Sequence, residues 1–222
     1  MKISSRIKTT FIGSSKYALF SIHRISDLVA VFVEDNFHKE EVVRFCKREG
    51  LKFYYVRYSS DILKIILEEK LNIDIVFVSN TSVLLKQDLI DQFKVVYNLH
   101  NGDLASNRGA HPIINKNDFM YLVCHIIDSE DIDKGRIVCQ IKIPINYNLD
   151  FISNINIIQR LSSSLLEHVI YCYTEYNGDV ASIQADIKNN SYKHRLDNDI
   201  KNRIQNLAKL SEINDIKNIT EA

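Results

Sequence analysis

The chain has 222 residues, and its 28 basic side chains are balanced by 28 acidic ones. That balance argues against a polyanion-coating nucleic-acid binder and against an acidic tail protein, while 45% hydrophobic residues is a globular composition. A chain of this length buries a full core without disulfides. Its longest apolar runs, such as residues 73–78, fall far short of the roughly 20 residues a bilayer-spanning helix needs. The basic start, residues 1–10, is followed by no apolar signal region. The expectation is a cytoplasmic protein with no membrane insertion and no nucleic-acid partner. Cys46, Cys124, Cys139 and Cys172 lack C-x-x-C spacing and read as buried free thiols.

In chain order, residues 9–12 read as a strand, and Gly13-Ser14-Ser15-Lys16 as a turn into a helix from Tyr17. Residues 28–33 form the next strand. A charged helix over residues 39–49 then stops at Gly50, a glycine placed for a left-handed helix end. Residues 53–56 give a third strand, and Ser59-Ser60-Asp61 caps a helix with Ile62, Leu63, Ile65, Ile66 and Leu71 at helical spacing. Strands at 73–78 and 95–97 follow, with a short helix at 88–93 between them. Continuously apolar strands alternating with helices predict an α/β fold, a Rossmann-like parallel sheet flanked by helices on both faces. Beyond Asn98 the rhythm changes. Residues 98–112 are polar, residues 120–127 and 136–145 read as an antiparallel pair around an acidic loop, and residues 151–176 read as one long helix closed by Gly178. The remaining tail shows weak strand signals around Ile183 and Tyr192 and a last surface helix over 197–210.

Glycine is scarce, so its placement is informative. Gly13, Gly102, Gly109 and Gly135 all fall where carboxyl-end loops of an open parallel sheet line a ligand crevice. On that rim lies Asn98-Leu99-His100, and residues two apart share a side of a strand. An amide and an imidazole so placed suit acyl transfer, the amide donating to a developing oxyanion while the imidazole stabilises charge or moves a proton. Asp133 could orient that histidine. The plainer alternative makes Asn98 a turn residue, His100 a surface histidine and Asp133 a turn carboxylate. His100, His111, His125 and Asp133 could also form an N/O metal site, but no H-x-H or H-x-x-x-H spacing supports it, and the reading carries no metal. His23, His38, His168 and His194 read as surface or helix-face residues. Gly13 to Lys16 could cradle an anion, though it matches neither a P-loop nor a dinucleotide fingerprint.

Taken together, Asn98-Leu99-His100, Asn107-Arg108-Gly109-Ala110-His111-Pro112 and Asp133-Lys134-Gly135 resemble the N-x-H, R-G-x-x-P and D-x-G elements of the N10-formyltetrahydrofolate-dependent formyltransferases. The opening residues 11–19 are similar to that family's first strand and turn, and Ser82-Val83-Leu84-Leu85 stands at the place of its pterin-pocket loop. Leu104-Ala105 stands where the family pattern has Leu-Pro. The resemblance covers about residues 9–145, and the wording around Arg108 looks closest to the nucleotide-sugar N-formyltransferases.

The resemblance implies transfer of a formyl group from N10-formyltetrahydrofolate to the amine of a nucleotide-linked sugar, a dTDP-linked 4-amino-4,6-dideoxy sugar for surface polysaccharide. It gives Asn98 and protonated His100 the oxyanion and gives Asp133 the orientation of His100 and removal of the amine proton. It implies a pterin slot from Ser82, Val83, Leu84, Leu85, Ser129, Glu130 and Ile132. On the acceptor side it points to Arg108 and Gly109. The alternatives are a glycinamide ribonucleotide formyltransferase and a catalytically silent folate- or nucleotide-binding module. Residues 1–177 are then the catalytic core, and residues 178–222 an extension of hairpin and helix. Apolar residues on more than one face of the long helix predict a homodimer built from this tail, with Tyr192 and Arg195 reaching the acceptor's nucleotide.

Overall fold

The computed structural model describes residues 7–35, 39–104 and 119–175. Seven strands form one sheet: β1 (Lys8–Gly13), β2 (Asp27–Glu34), β3 (Phe53–Val56), β4 (Ile75–Ser79), β5 (Val95–His100), β6 (Phe119–Ile126) and β7 (Ile137–Pro144). Their order is β3-β2-β1-β4-β5-β6-β7. The first five run parallel, whereas β6 is antiparallel to β5 and β7 to β6. The predicted hairpin therefore exists and continues the main sheet.

The helices are α1 (Lys16–Ile25), α2 (Lys39–Glu49), α3 (Ser59–Glu68), α4 (Gln87–Ile90), α5 (Phe151–Arg160) and α6 (Ser162–Glu175). Because strand side chains alternate between faces, the apolar strands feed two cores. Phe11, Val31, Phe77, Tyr97 and Leu122 pack with α1, α2, α5 and α6 on one face. Ile12, Phe32, Val76, Val78 and Val96 pack with α3 and α4 on the other. All four cysteines are buried free thiols. Burial pushes the Cys46 thiol up to about 11, which leaves it protonated and inert.

Local signals set the helix ends. Ser15 accepts from the Ala18 amide at the start of α1, and Asp150 accepts from the Ser153 amide at 2.7 Å at the start of α5. The Asp61 carboxylate accepts from the Arg57 and Tyr58 amides at 2.9 Å each, and these bonds hold its pKa below the usual carboxylate value. Gly50 ends α2 at φ 66°, as its position predicts.

One expectation fails in detail. The long helix over residues 151–176 is two helices, broken at Leu161, whose amide turns to the Ile158 carbonyl. The cause is the Ser162-Ser163-Ser164 run. Serine hydroxyls compete for nearby carbonyls, and Ser162 Oγ bonds back to Gln159 O at 2.5 Å. No helix among the described residues is long and apolar enough to cross a membrane. The tail beyond Glu175, on which the expected hairpin, last helix and dimer contacts fall, lies outside the described residues.

Candidate active site

The sheet changes direction of connection between β1 and β4, and there Gly13 lets the two strand ends close. Its φ is +130°, and a Cβ on it would lie 2.0 Å from the Ser79 carbonyl oxygen. Ser14 completes the seam. Its amide donates to the carbonyls of Ser79 and Asn80, its hydroxyl donates to Asn80 O at 2.7 Å, and Asn80 Nδ2 donates to Ser14 Oγ. The Lys16 ammonium lies 2.9 Å from Glu41. Ser14 and the Lys16 ammonium are thus engaged within the protein.

The polar cluster lies one strand further on. β5 runs on through Asn98, Leu99 and His100, three residues past the predicted end, because β6 pairs with it there. Asn98 and His100 stand on one face, and the register sets His125 of β6 directly opposite Asn98. Asp133 arrives from the β6–β7 loop at φ 52°, a left-handed conformation that Asp tolerates better than most residues. Gly135 makes that return possible, since a Cβ there would fall 1.5 Å from Ile126 O.

The four side chains interlock. Asn98 Nδ2 donates to Asp133 Oδ1 at 3.1 Å and lies 3.0 Å from His125 Nε2. Asp133 Oδ2 is 3.5 Å from His100 Nδ1, and Asp133 Oδ1 is 3.3 Å from His125 Nε2. His125 Nδ1 lies 3.1 Å from Ile126 O, which can only accept, so Nδ1 carries a proton and neutral His125 offers Nε2 as acceptor to Asn98. A second proton on His125 would turn Nε2 into a donor toward Asp133. His100 and His125 are 7% and 1% exposed, so the cluster works at low local dielectric. Just beyond, Asn101 Oδ1 is buried with no hydrogen-bond partner among the described residues.

Two loops flank the cluster. In the loop before α4, Glu34 at the end of β2 accepts from Thr81 Oγ1 at 3.0 Å, from the Ser82 amide at 2.8 Å and from the Ser82 hydroxyl. Val83 and Leu85 are buried beneath, and Leu84 is 57% exposed. In the other loop Glu130 accepts from Lys86 Nζ at 2.7 Å and from the Gln87 amide at 3.0 Å, which ties the two loops together. These bonds hold the Glu130 carboxyl below the usual range and raise Lys86. Ile132 is 54% exposed.

The predicted residues therefore divide. Asn98, His100 and Asp133 meet in one cluster. Ser82, Val83, Leu84, Leu85, Ser129, Glu130 and Ile132 lie on two tied loops, where Ser82 is bonded to Glu34 of β2 and Glu130 holds loop to loop. Arg108, Gly109, Tyr192 and Arg195, with His111, lie outside the described residues. His125 was named from the sequence only as a metal candidate, and its place opposite Asn98 needed the strand register. Among the described residues no group of three or more His, Cys, Asp or Glu side chains is arranged to hold a metal ion.

No protein-family model matches the chain, and no curated protein sequence does. Solved structures do. The phosphoribosylglycinamide formyltransferase of Streptococcus pneumoniae TIGR4 superposes with a TM-score of 0.66 at 16% identity over 76% of this chain and 99% of its own. The enzyme of that name from Bacillus halodurans gives 0.62 at 16% identity, over 72% of this chain and 91% of its own. An N-formyltransferase of Helicobacter canadensis, solved with folinic acid and dTDP-3-aminofucose, gives 0.50 at 20% identity, over 74% of this chain and 64% of its own. At such identities the likeness defines architecture: this chain has the α/β formyltransferase fold.

Proposed function

We propose that this chain transfers a formyl group from N10-formyltetrahydrofolate to the primary amine of a nucleotide-linked amino sugar, with a dTDP-linked 4-amino-4,6-dideoxy sugar of surface polysaccharide synthesis as the leading acceptor. The observation that carries the formyl-transfer reading is the buried set of Asn98, His100, His125 and Asp133, assembled on β5, β6 and the following loop of a formyltransferase fold.

The donor supplies an electrophilic formyl carbon. Two features fit its flat, amide-edged ring. Among the described residues no hydrogen bond engages the backbone of Leu84 or Leu85, and the apolar side chains of Leu84 and Ile132 are uncovered. The amine nitrogen bonds to the formyl carbon, the carbon's bond to N10 breaks, and the amine's proton replaces it on N10. His100 stabilises the charge that builds on the formyl oxygen. Asp133 holds the His100 imidazole and relays the amine proton, directly or through water. Both hydrogens of the Asn98 amide face Asp133 and His125, so Asn98 must exchange one of these contacts to donate to the oxyanion. His125, with Nε2 as acceptor, keeps that amide in place until then.

A phosphoribosylglycinamide acceptor is the second reading, favoured by the names of the two better-superposing neighbours. The favoured reading rests instead on the wording Asn107-Arg108-Gly109-Ala110-His111-Pro112, which looks closer to the sugar enzymes. In the favoured reading Arg108, Gly109, Tyr192 and Arg195 meet the acceptor, and residues 178–222 build a homodimer. The test is formyl transfer measured with dTDP-linked amino sugars and with glycinamide ribonucleotide in parallel. His100→Ala should lower the favoured turnover about 10²–10³-fold. Turnover with glycinamide ribonucleotide alone would transfer the assignment to purine synthesis, and folate binding without turnover on either acceptor would leave a silent binding module.

A further inference from the structure

Glu34 occupies a position with a general meaning in sheets of this order. The carboxylate ending the second strand is placed to read ribose hydroxyls of a bound nucleotide. Here it faces protein instead. Its two oxygens accept from the Thr81 hydroxyl, the Ser82 amide and the Ser82 hydroxyl, and Thr81 Oγ1 in turn accepts from the Val83 amide at 3.1 Å. The loop has no regular structure of its own between Ser79 and Gln87. It is held instead by four distant segments: Ser14 at its start, Glu34 near its middle, and Ser59 and Glu130 at its end. Of these contacts, only the Glu34 carboxylate gathers three donors immediately before Leu84 and Leu85, whose backbone is left for a ligand.

We infer that Glu34 is a positioning residue for the formyl donor: it clamps residues 81–83 so that the Leu84-Leu85 backbone is presented to the ring of a reduced folate. This inference rests on the proposed formyl-transfer reading. A carboxylate suits the task because it accepts two hydroxyls and an amide at once, and charge-assisted bonds of this kind are stronger than neutral ones. A glutamine in its place would keep one accepting oxygen, and the loop hydroxyls could rotate to accept from its amide.

The experiment uses the full chain with Glu34→Ala and Glu34→Gln, and Thr81→Val as a variant that weakens the clamp from the loop side should Glu34→Ala fail to fold. Folinic acid, which cannot donate its formyl group in this reaction, is the calorimetric probe. Amide exchange over residues 80–87 is the reporter that needs no activity. Glu34→Ala should weaken folinic acid binding about tenfold or more, speed exchange at residues 81–83, and raise the KM for the formyl donor with kcat at saturation and acceptor KM little changed. Glu34→Gln should recover much of the loss, and Thr81→Val should show a smaller version of it. Unaltered folinic acid affinity in Glu34→Ala, or a fall in kcat with donor KM unchanged, overturns the inference. Failure of the wild-type chain to bind folinic acid overturns the formyl-transfer reading and the donor role of Glu34 with it. Failure of the clamp alone appears only in the variants, with wild-type binding intact.

Discussion

The two loops that border the cluster share the Glu130 tie but differ in what else seats them. The loop before α4 is fastened by hydrogen bonds from Ser14, Glu34, Ser59 and Glu130, each from a different part of the chain. The β6–β7 loop shares the Glu130 tie and the Asn98–Asp133 bond, but its turn is seated by shape, with Gly135 pressed on Ile126 O and Asp133 turned back at positive φ. A loop held by several polar bonds should yield by degrees as they are removed. A loop seated chiefly on one close backbone contact should yield sharply when that contact is lost, because the contact has no weaker form.

The sharpest way to break that contrast is Gly135→Ala. Its methyl would fall 1.5 Å from backbone, where no side-chain rotation relieves it. The loop must leave its seat or β6 must distort, at a cost of about 3 kcal/mol or more. Denaturant unfolding should show it, and a variant as stable as the parent would remove the steric account.

Asp133→Asn comes next and separates loop shape from cluster charge. Asn accepts left-handed backbone as readily as Asp does, so the loop should stay seated while the carboxylate facing both imidazoles is lost. Formyl transfer should fall about a hundredfold or more, with the unfolding midpoint little moved. A large fall in stability would mean that the charge also holds the loop.

A third effect lies behind the sheet and tells acid sensitivity of the helices from that of either loop. Burial of His168 on α6 lowers its pKa from 6.5 to about 4. Between those values the unfolded chain binds the proton and the folded chain does not, so stability falls as pH drops through that window and levels off below it. The loss should be on the order of 3 kcal/mol, and His168→Gln should flatten the dependence between pH 7 and pH 4. An unaltered slope would place the acid sensitivity elsewhere.

The smallest effect belongs to the exposed pair of Lys86 and Glu130. Lys86→Ala should leave the unfolding midpoint within measurement error, because an exposed ion pair contributes little. A marked fall would show that the polar loop too hangs on one contact.

Legibility in the sequence follows the same division. The parallel half could be read strand by strand, since continuous apolar runs and the stop at Gly50 are local signals. Asn98 and His100 could be paired by the two-residue period of a strand. His125 could not be placed, because only the β5–β6 register sets it opposite Asn98. Glu34 was invisible for a similar reason, its loop partners lying 47 and 48 residues away. The break at Leu161 had a local signal in three consecutive serines, outweighed by the apolar pattern running through it.

The reversal of direction at β6 also bears on how still the site is. In a sheet that remained parallel, side chains from neighbouring strands would reach a ligand only from loops at one end. Here Asn98, His100 and His125 lie within a laddered pair, so their fluctuations are those of the sheet and their amides should exchange only with wide opening of β5 from β6. Of the four, Asp133 alone rides on a loop. The slower, larger excursions that admit and release ligands then fall to the loops, and three of the four groups should stay near their bound positions while a ligand comes and goes.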